Sequence, residues 1–380
     1  MEGRRRLLGG VSRALAPSPG IVPPLATLPP AVAGEFSRIC GLSEAARLTT
    51  AGLRHLGHAP REIDASWRGP GLGGEALPPG APLIVHINAP DMPAALLRLG
   101  RAAVRGRKII GAWAWELPQV PPDWHKGAAY AHEIWAPSRF AADAMEPLLP
   151  GRVRVVTPPL AIAPPHPARL DRAAFGLPAD AVVVLVSFDL ASSFVRKNPL
   201  AAIAAFRSAF ANDPRRILLL KIGNPGHFPA DFATIRDAVA GAGNIRLETR
   251  TLPAADNFAL MACADILLSL HRSEGFGLIL AEALLLGIPV IATGWSGNLD
   301  FMDTDSAILV RPRMVPAIDP RGVYHAPNLL WAQPSLGEAA AALVHLAGDP
   351  EARQALGARG RAAALSRLGP ASLEAALAGL

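Results

Sequence analysis

An α/β protein with two doubly wound parallel-sheet domains facing across a cleft is what three features of the sequence predict. Short β-like runs alternate with helix-like ones, a Pro-rich break falls near residues 157–170 with the alternation starting afresh after it, and 380 residues suit two cores better than one. Residues 1–30 read as a Pro-rich extension. Its basic tip is followed by too short an apolar run for a signal peptide. A first domain over 31–165 takes its strands from "AVAGEF", "REIDAS", "PLIVHI", "RKIIGAW", "HEIWAP" and "VRVVTPP", with helices starting near Leu42, Asp91 and Ser138. The Gly/Pro-rich stretch "SWRGPGLGGEALPPGAP" reads as a loop.

A second domain over 166–350 begins with the buried strand "AVVVLVSF" and the helix "NPLAAIAAFRSAF". The strands "RILLLKI", "NIRLE", "ADILLSL", "PVIAT" and "AILV" follow. Residues 351–380 form Ala-rich helices, expected to cross back to the first domain. No apolar run spans a membrane, because "GLILAEALLLGIPVIATG" is interrupted by Glu282, Gly287 and Pro289. A cytoplasmic protein is expected. Cys40 and Cys263, the only two cysteines, lack metal-ligand spacing and read as small buried thiols.

The net charge of +6 could serve nucleic acid, an anionic membrane or a phosphorylated ligand. Aromatic content of 6%, with no basic run interleaved with aromatics, argues against nucleic acid. Only four of the 37 basic residues are lysines: Lys108, Lys126, Lys197 and Lys221.

The stretch "HRSEGFGLILAEALLLGIPVIATGWSGN" (271–298) concentrates the chemistry. A buried strand ends at His271, a short loop carries Glu274, Gly275, Phe276 and Gly277, and a helix starts near Leu278. Glycines admit a ligand to the backbone, and unpaired N–H groups at a helix start attract anions. Glu282, about one turn further, could accept hydroxyl hydrogen bonds from a ribose, or could lie on a wet stripe of the helix. Glu274 could reach the hydroxyls of a sugar beyond the phosphates.

Glu274, seven intervening residues and Glu282, in the frame of strand, EGFG loop, helix and GxPVIA strand, closely resemble the E-x7-E signature of the retaining glycosyltransferases of family 4 (glycosyl transferases group 1), which have the GT-B fold. "GLSEAARL" (41–48), "FVRKNPLAAIAAF" (194–206), "GAWAWELP" and "HEIWAPSRFAADAM" resemble further segments of that family. The resemblance implies that Glu274 contacts the donor sugar and Glu282 its ribose. The backbone from Gly275 through Phe276 and Gly277 to Leu278, with Gly41 and Ser43 in the first domain, would help hold the donor. Lys197, with Arg196 beside it, would neutralise the diphosphate. A leaving diphosphate gains charge as the glycosidic bond breaks, so a fixed ammonium there favours the transition state. The implied donor is a nucleotide-diphosphate sugar, with neither metal nor further cofactor. The acceptor is a saccharide or lipid-linked saccharide, as in bacterial polysaccharide assembly, with peripheral membrane association a further expectation.

Two departures stand out. Asp189 occupies the place where many family members have an arginine, and the first-domain histidine near the donor sugar has no direct counterpart. His86, at a strand end, and Trp113, Trp115 and Glu116 are the candidates there, against a structural histidine, core indoles and a surface glutamate. Lys221 is either a second phosphate contact or half of an ion pair. "DTD" (303–305) reads as a turn rather than a metal motif. "GLGGEA" (71–76) is no dinucleotide fingerprint, since no strand leads into it. A non-catalytic nucleotide-sugar binder of the same fold is the principal alternative; a nicotinamide oxidoreductase lacks its glycine motif.

Overall fold

In the computed structural model, residues 12, 14–20, 26–66, 69 and 77–380 are described. The expected 1–30 extension falls in large part, and the 71–76 segment entirely, outside the described residues. The chain divides into two units, Met1–Ala163 with Leu368–Leu380, and Pro164–Arg367. The return to the first unit therefore comes at Leu368, inside the segment 351–380.

In the first unit, β1 (Ala31–Gly34), β2 (Arg61–Asp64), β3 (Leu83–His86), β4 (Ile109–Ala112), β5 (Glu133–Ala136) and β6 (Val153–Val155) form a parallel sheet of order β2-β1-β3-β4-β5-β6. Each lies inside a run read from the sequence. The four central strands are buried at every position, as sheets covered on both faces require. The helices are α1 (Gly41–His55), α2 (Met92–Leu99), α3 (Arg101–Val104), α4 (Trp124–Ala128) and α5 (Arg139–Met145). Strand order reverses between β1 and β3, where Gly34 and His86 are paired in register.

The second unit repeats the scheme with β7 (Val182–Asp189), α6 (Phe194–Lys197), α7 (Pro199–Phe210), β8 (Arg216–Gly223), α8 (Pro229–Val239), β9 (Ile245–Glu248), α9 (Ala254–Ala262), β10 (Ile266–Ser269), α10 (Leu278–Leu285), β11 (Val290–Thr293) and β12 (Ile308–Val310). Its parallel sheet runs β12-β11-β10-β7-β8-β9, so the order reverses between β7 and β10. Ligands of such sheets gather beyond the strand carboxyl ends at a reversal of this kind. Sequence reasoning did not find α8, α9 or the antiparallel pair β13 (Pro312–Ala317) and β14 (Ala326–Pro334).

Three helices close the chain: α11 (Leu336–Gly348), α12 (Pro350–Arg367) and α13 (Ala371–Ala378). Glycines set how closely α12 meets the segment carrying Glu282. A Cβ at Gly357 would stand 2.1 Å from the Gly287 carbonyl oxygen, and one at Gly360 2.7 Å from Leu284 Cδ2. On the first unit, Leu373 and Leu377 of α13 join Val32, Ala46, Leu53 and Ile84 in one core. Thr157 N–H donates to Ser372 Oγ at 3.0 Å, fixing the returning segment. Among the described residues no helix is long and apolar enough to cross a membrane.

Candidate functional site

β7 and β10 leave the sheet side by side, and the segments that follow them meet. After β7, the chain turns through Ser193 (φ 71°) into the single turn α6, then through Asn198 (φ 53°) into α7, whose first residue is Pro199. Arg196 and Lys197 thus end a one-turn helix. Cations suit a helix carboxyl end. Asn198 is buried and donates to the Leu270 carbonyl at 2.9 Å, which ties this turn to the end of β10.

After β10, Glu274 turns inward and is 6% exposed. Its Oε2 accepts from Arg196 Nη1 at 3.1 Å, and Oε1 pairs with Lys197 Nζ. Burial alone would raise this carboxyl, but the neighbouring Lys197 and Arg196 hold it at about 2. Arg196 is 3% exposed; it also donates to the Ser273 and Ser192 carbonyls at 2.8 and 2.9 Å, and its guanidinium lies 5.2 Å from the centroid of Tyr324. Lys197 retains some access to solvent, with 16% of its side chain exposed. A carboxylate locked between a buried guanidinium and a reachable ammonium can accept sugar hydroxyls while the ammonium meets an anion.

The loop is held from behind. Glu274 N–H donates to Ser296 Oγ at 2.8 Å, and its carbonyl accepts from Gly297 N–H at 2.9 Å. His271 is fully buried, sharing hydrogen bonds with Ser269 Oγ at 3.0 Å and Asn298 Oδ1 at 3.2 Å. Burial pushes its imidazole pKa down, which keeps it neutral. Gly277 opens α10 at φ 101°, a conformation glycine adopts without strain. Gly275 and Phe276 are buried, and Phe276 stacks at 4.8 Å on Phe301; Leu278 is half-buried.

Glu282 is half-buried rather than buried. It shares a partly accessible stripe with Leu278 and Ile279 of α10 and Leu286 just after it, at the three- and four-residue spacing of one helix face. Of the first-unit candidates, the two tryptophans require correction. Trp113 and Trp115 are 1% and 6% exposed and pack edge-on against Trp124 at 6.0 and 5.2 Å, so they are core indoles without a face open for a sugar. Glu116 is half-buried in the loop after β4. His86 is buried, Nε2 has no hydrogen-bond partner among the described residues, and burial lowers its pKa to about 3.

Gly41 is exposed at the start of α1, whereas Ser43 is fully buried and donates to the Glu35 carbonyl at 2.8 Å. Cys40 is half-buried, not buried as expected, and lies 3.0 Å from Ser43 Oγ. Asp189 caps the turn after β7, accepting from Ala191 N–H at 2.7 Å and Asn224 Nδ2 at 2.6 Å. Lys221 donates to the Arg250 carbonyl at 2.8 Å, with Glu248 opposite it across the strands. Asp303 and Asp305 form a turn in which Asp303 Oδ1 accepts from Asp305 and Ser306 N–H, and Arg367 pairs with its other oxygen. Among the described residues no group of three His, Cys, Asp or Glu side chains is placed to hold a metal.

Residues 189–320 match the family model of the glycosyl transferases group 1. A curated relative, D-inositol 3-phosphate glycosyltransferase of Jonesia denitrificans, is 31% identical over 176 residues. That stretch covers 44% of this chain and 39% of the relative's length. Among solved structures, Alr3699/HepE of Anabaena, in complex with UDP and glucose, superposes with a TM-score of 0.65 at 14% identity, over 93% of this chain and 100% of that one. A glycosyltransferase of Rickettsia africae gives 0.63 at 12% identity, over 92% and 97%. The fold is GT-B, and the resemblance to the glycosyl transferases group 1 is borne out over residues 189–320.

Proposed function

We propose that the chain is a retaining glycosyltransferase, moving a sugar from a nucleoside-diphosphate sugar to a saccharide or lipid-linked saccharide. The observation that carries this reading is the Arg196–Glu274–Lys197 cluster at the carboxyl ends of β7 and β10, where the second sheet reverses its order. UDP in the complex of the Anabaena relative supports a nucleoside diphosphate as the leaving group.

In this mechanism Lys197 meets the diphosphate and gains interaction energy as the leaving oxygens become more negative. Arg196, enclosed by Glu274 and two carbonyls, keeps Glu274 ionised and aimed. Glu274 accepts hydroxyls of the transferred sugar, and Glu282, on the accessible stripe of α10, accepts those of the ribose. The acceptor hydroxyl attacks the anomeric carbon from the face that the diphosphate leaves. The bond to the β-phosphate oxygen breaks, a new carbon–oxygen bond forms, and the hydroxyl proton passes to the departing phosphate. No protein nucleophile takes part, and the cations supply the charge that a metal would otherwise bring. We assign the reaction to the cytoplasm, with a peripheral membrane position for a lipid-linked acceptor, in polysaccharide or glycan assembly.

The test is incubation of the protein with UDP-, GDP-, ADP- and TDP-sugars, with and without a saccharide-lipid extract, in the presence of chelator. Release of nucleoside diphosphate and the anomeric configuration of the product are then followed by NMR. The reading predicts release from one donor, product of the donor's own anomeric configuration, and loss of release in Glu282→Ala. Donor binding with no release in any mixture would leave a non-catalytic binder of this fold instead.

A further inference from the structure

The antiparallel pair β13–β14 leaves the parallel sheet after β12 and is fastened to the site at two places. At its root, Ala332 N–H donates to the Arg272 carbonyl at 2.9 Å. Gln333 Oε1 accepts from Arg272 Nε at 3.1 Å and Nη2 at 2.8 Å, and the Arg272 guanidinium lies 5.5 Å from the centroid of Trp331. At its tip, Arg321 pairs with Asp231 of α8, donates to the Leu190 carbonyl and lies 3.9 Å from the centroid of Phe228. Asp319, 1% exposed, shapes this tip by accepting from the N–H groups of Arg321 at 3.0 Å and Tyr324 at 3.1 Å.

Between the fastenings lies the segment from Leu190 to Lys197. Arg272 Nη1 donates to the Val195 carbonyl at 2.9 Å, Arg272 N–H donates to the Arg196 carbonyl at 2.8 Å, and Tyr324 packs against the Arg196 guanidinium. That segment needs outside support. α6 has four residues, and a single helical turn does not hold itself in water. Ser193, just before it, has φ 71°, a conformation that L side chains other than Asn and Asp rarely take. Among the described residues, Arg272 has no carboxylate within ion-pair distance. Its acceptors are an amide and a carbonyl, so it joins segments instead of balancing charge.

We propose that the β13–β14 hairpin is a strap that positions Lys197 and Glu274 for the donor diphosphate and sugar, with Arg272 and Arg321 as positioning residues at its root and tip. The inference rests on the glycosyltransferase reading and adds that the site's precision comes from an element outside the parallel sheet. Neither arginine touches substrate. Each acts through α6, and loosening either lets the ammonium of Lys197 drift from the leaving oxygens. A misplacement of about 1 Å at such a contact costs on the order of 100-fold in rate.

The test is a double-mutant cycle on donor kcat/KM with Arg321→Ala, Lys197→Ala and both together, alongside Arg321→Lys and melting temperatures. A strap acting through Lys197 predicts a loss of about 30-fold for Arg321→Ala, partial rescue by Arg321→Lys, and a double variant within about threefold of Lys197→Ala alone. Losses that multiply, or an Arg321→Ala enzyme with unchanged donor kcat/KM, would overturn the strap. If Arg321→Ala does not fold, Asp231→Asn weakens the same fastening and enters the same cycle. Should the unsubstituted protein release no nucleoside diphosphate from any sugar donor, the glycosyltransferase reading fails and the strap with it. Turnover with multiplying losses removes the strap alone.

Discussion

At the carboxyl ends of β1, β3 and β4 the first unit holds a neutral buried imidazole and two indoles folded into its interior. At the ends of β7 and β10 the second unit holds a carboxylate between two cations. Both edges follow a parallel sheet that reverses its order, so topology alone does not separate them. Charge does. Burying Glu274, Arg196 and much of Lys197 costs several kcal/mol of desolvation that their mutual pairing offsets. Core packing of Trp113 and Trp115, by contrast, is favourable without any ligand. The comparison teaches that the costly buried charge cluster is the arrangement that calls for a ligand, while large aromatic side chains beside a strand end can be interior and nothing more.

Removing the carboxylate breaks this comparison most severely. Glu274→Ala leaves the Arg196 guanidinium buried without its anion and should cost about 3–5 kcal/mol of stability. Glu274→Gln keeps the shape, and donor turnover should fall roughly 1,000-fold; steady-state release of nucleoside diphosphate and chemical denaturation measure the two effects. In the first unit, Trp113→Ala should cost about 3–5 kcal/mol of stability by opening a cavity against Trp124. Donor binding per folded molecule should not change, as denaturation and calorimetry on the same sample would show. Lys197→Ala, with Arg196 still paired to Glu274, should lower donor kcat/KM on the order of 100-fold, about 2.7 kcal/mol, and lower the melting temperature less than Glu274→Ala does.

A pH experiment sharpens the contrast. Burial holds His86 at about 3 in the folded chain, while an unfolded imidazole titrates near 6.5. Between those values the unfolded state binds the proton that the folded state refuses. Stability therefore falls as pH drops below about 6.5, by up to about 1.4 kcal/mol per pH unit from this one group. Glu274 acts at lower pH: held at about 2 against 4.5 for the free carboxyl, its contribution is present above 4.5 and disappears as pH falls through about 2. Denaturation of His86→Phe from pH 7 to 4 should show a shallower decline than the unsubstituted chain, and an equal slope would show that His86 is protonated in the fold.

How much of this was legible in the sequence follows from the same physics. Ten of the twelve parallel strands lie within runs read from the sequence, and β7 and β8 overrun theirs by one residue each, at Asp189 and Gly223; the buried central strands stand out because strands covered on both faces carry near-continuous Val, Ile and Leu. β13 and β14 were missed: "PRMVPA" carries two prolines, Pro312 and Pro316, and "APNLLWAQP" alternates too weakly to stand out. Glu274, Lys197 and Arg196 were legible as rare charges in apolar frames, yet their meeting was not, because 77 residues separate Lys197 from Glu274 and only the sheet order brings them together. Glu282 shows the limit of counting apolar neighbours. One face of α10 is partly open, and Glu282, the one charged residue of the helix, marks it. Arg272 was hidden in the opposite way, standing two residues before Glu274 with partners, Gln333 and Val195, that no spacing rule connects to it.

The most direct measurement of the central claim is calorimetric titration of nucleoside-diphosphate sugars, in chelator, into the unsubstituted protein and into Lys197→Ala. The account predicts binding of one donor with a single site, weakened at least about tenfold, or about 1.4 kcal/mol, in the variant. Equal affinity in both proteins would place the diphosphate away from Lys197 and contradict the account of the Arg196–Glu274–Lys197 cluster as the donor site.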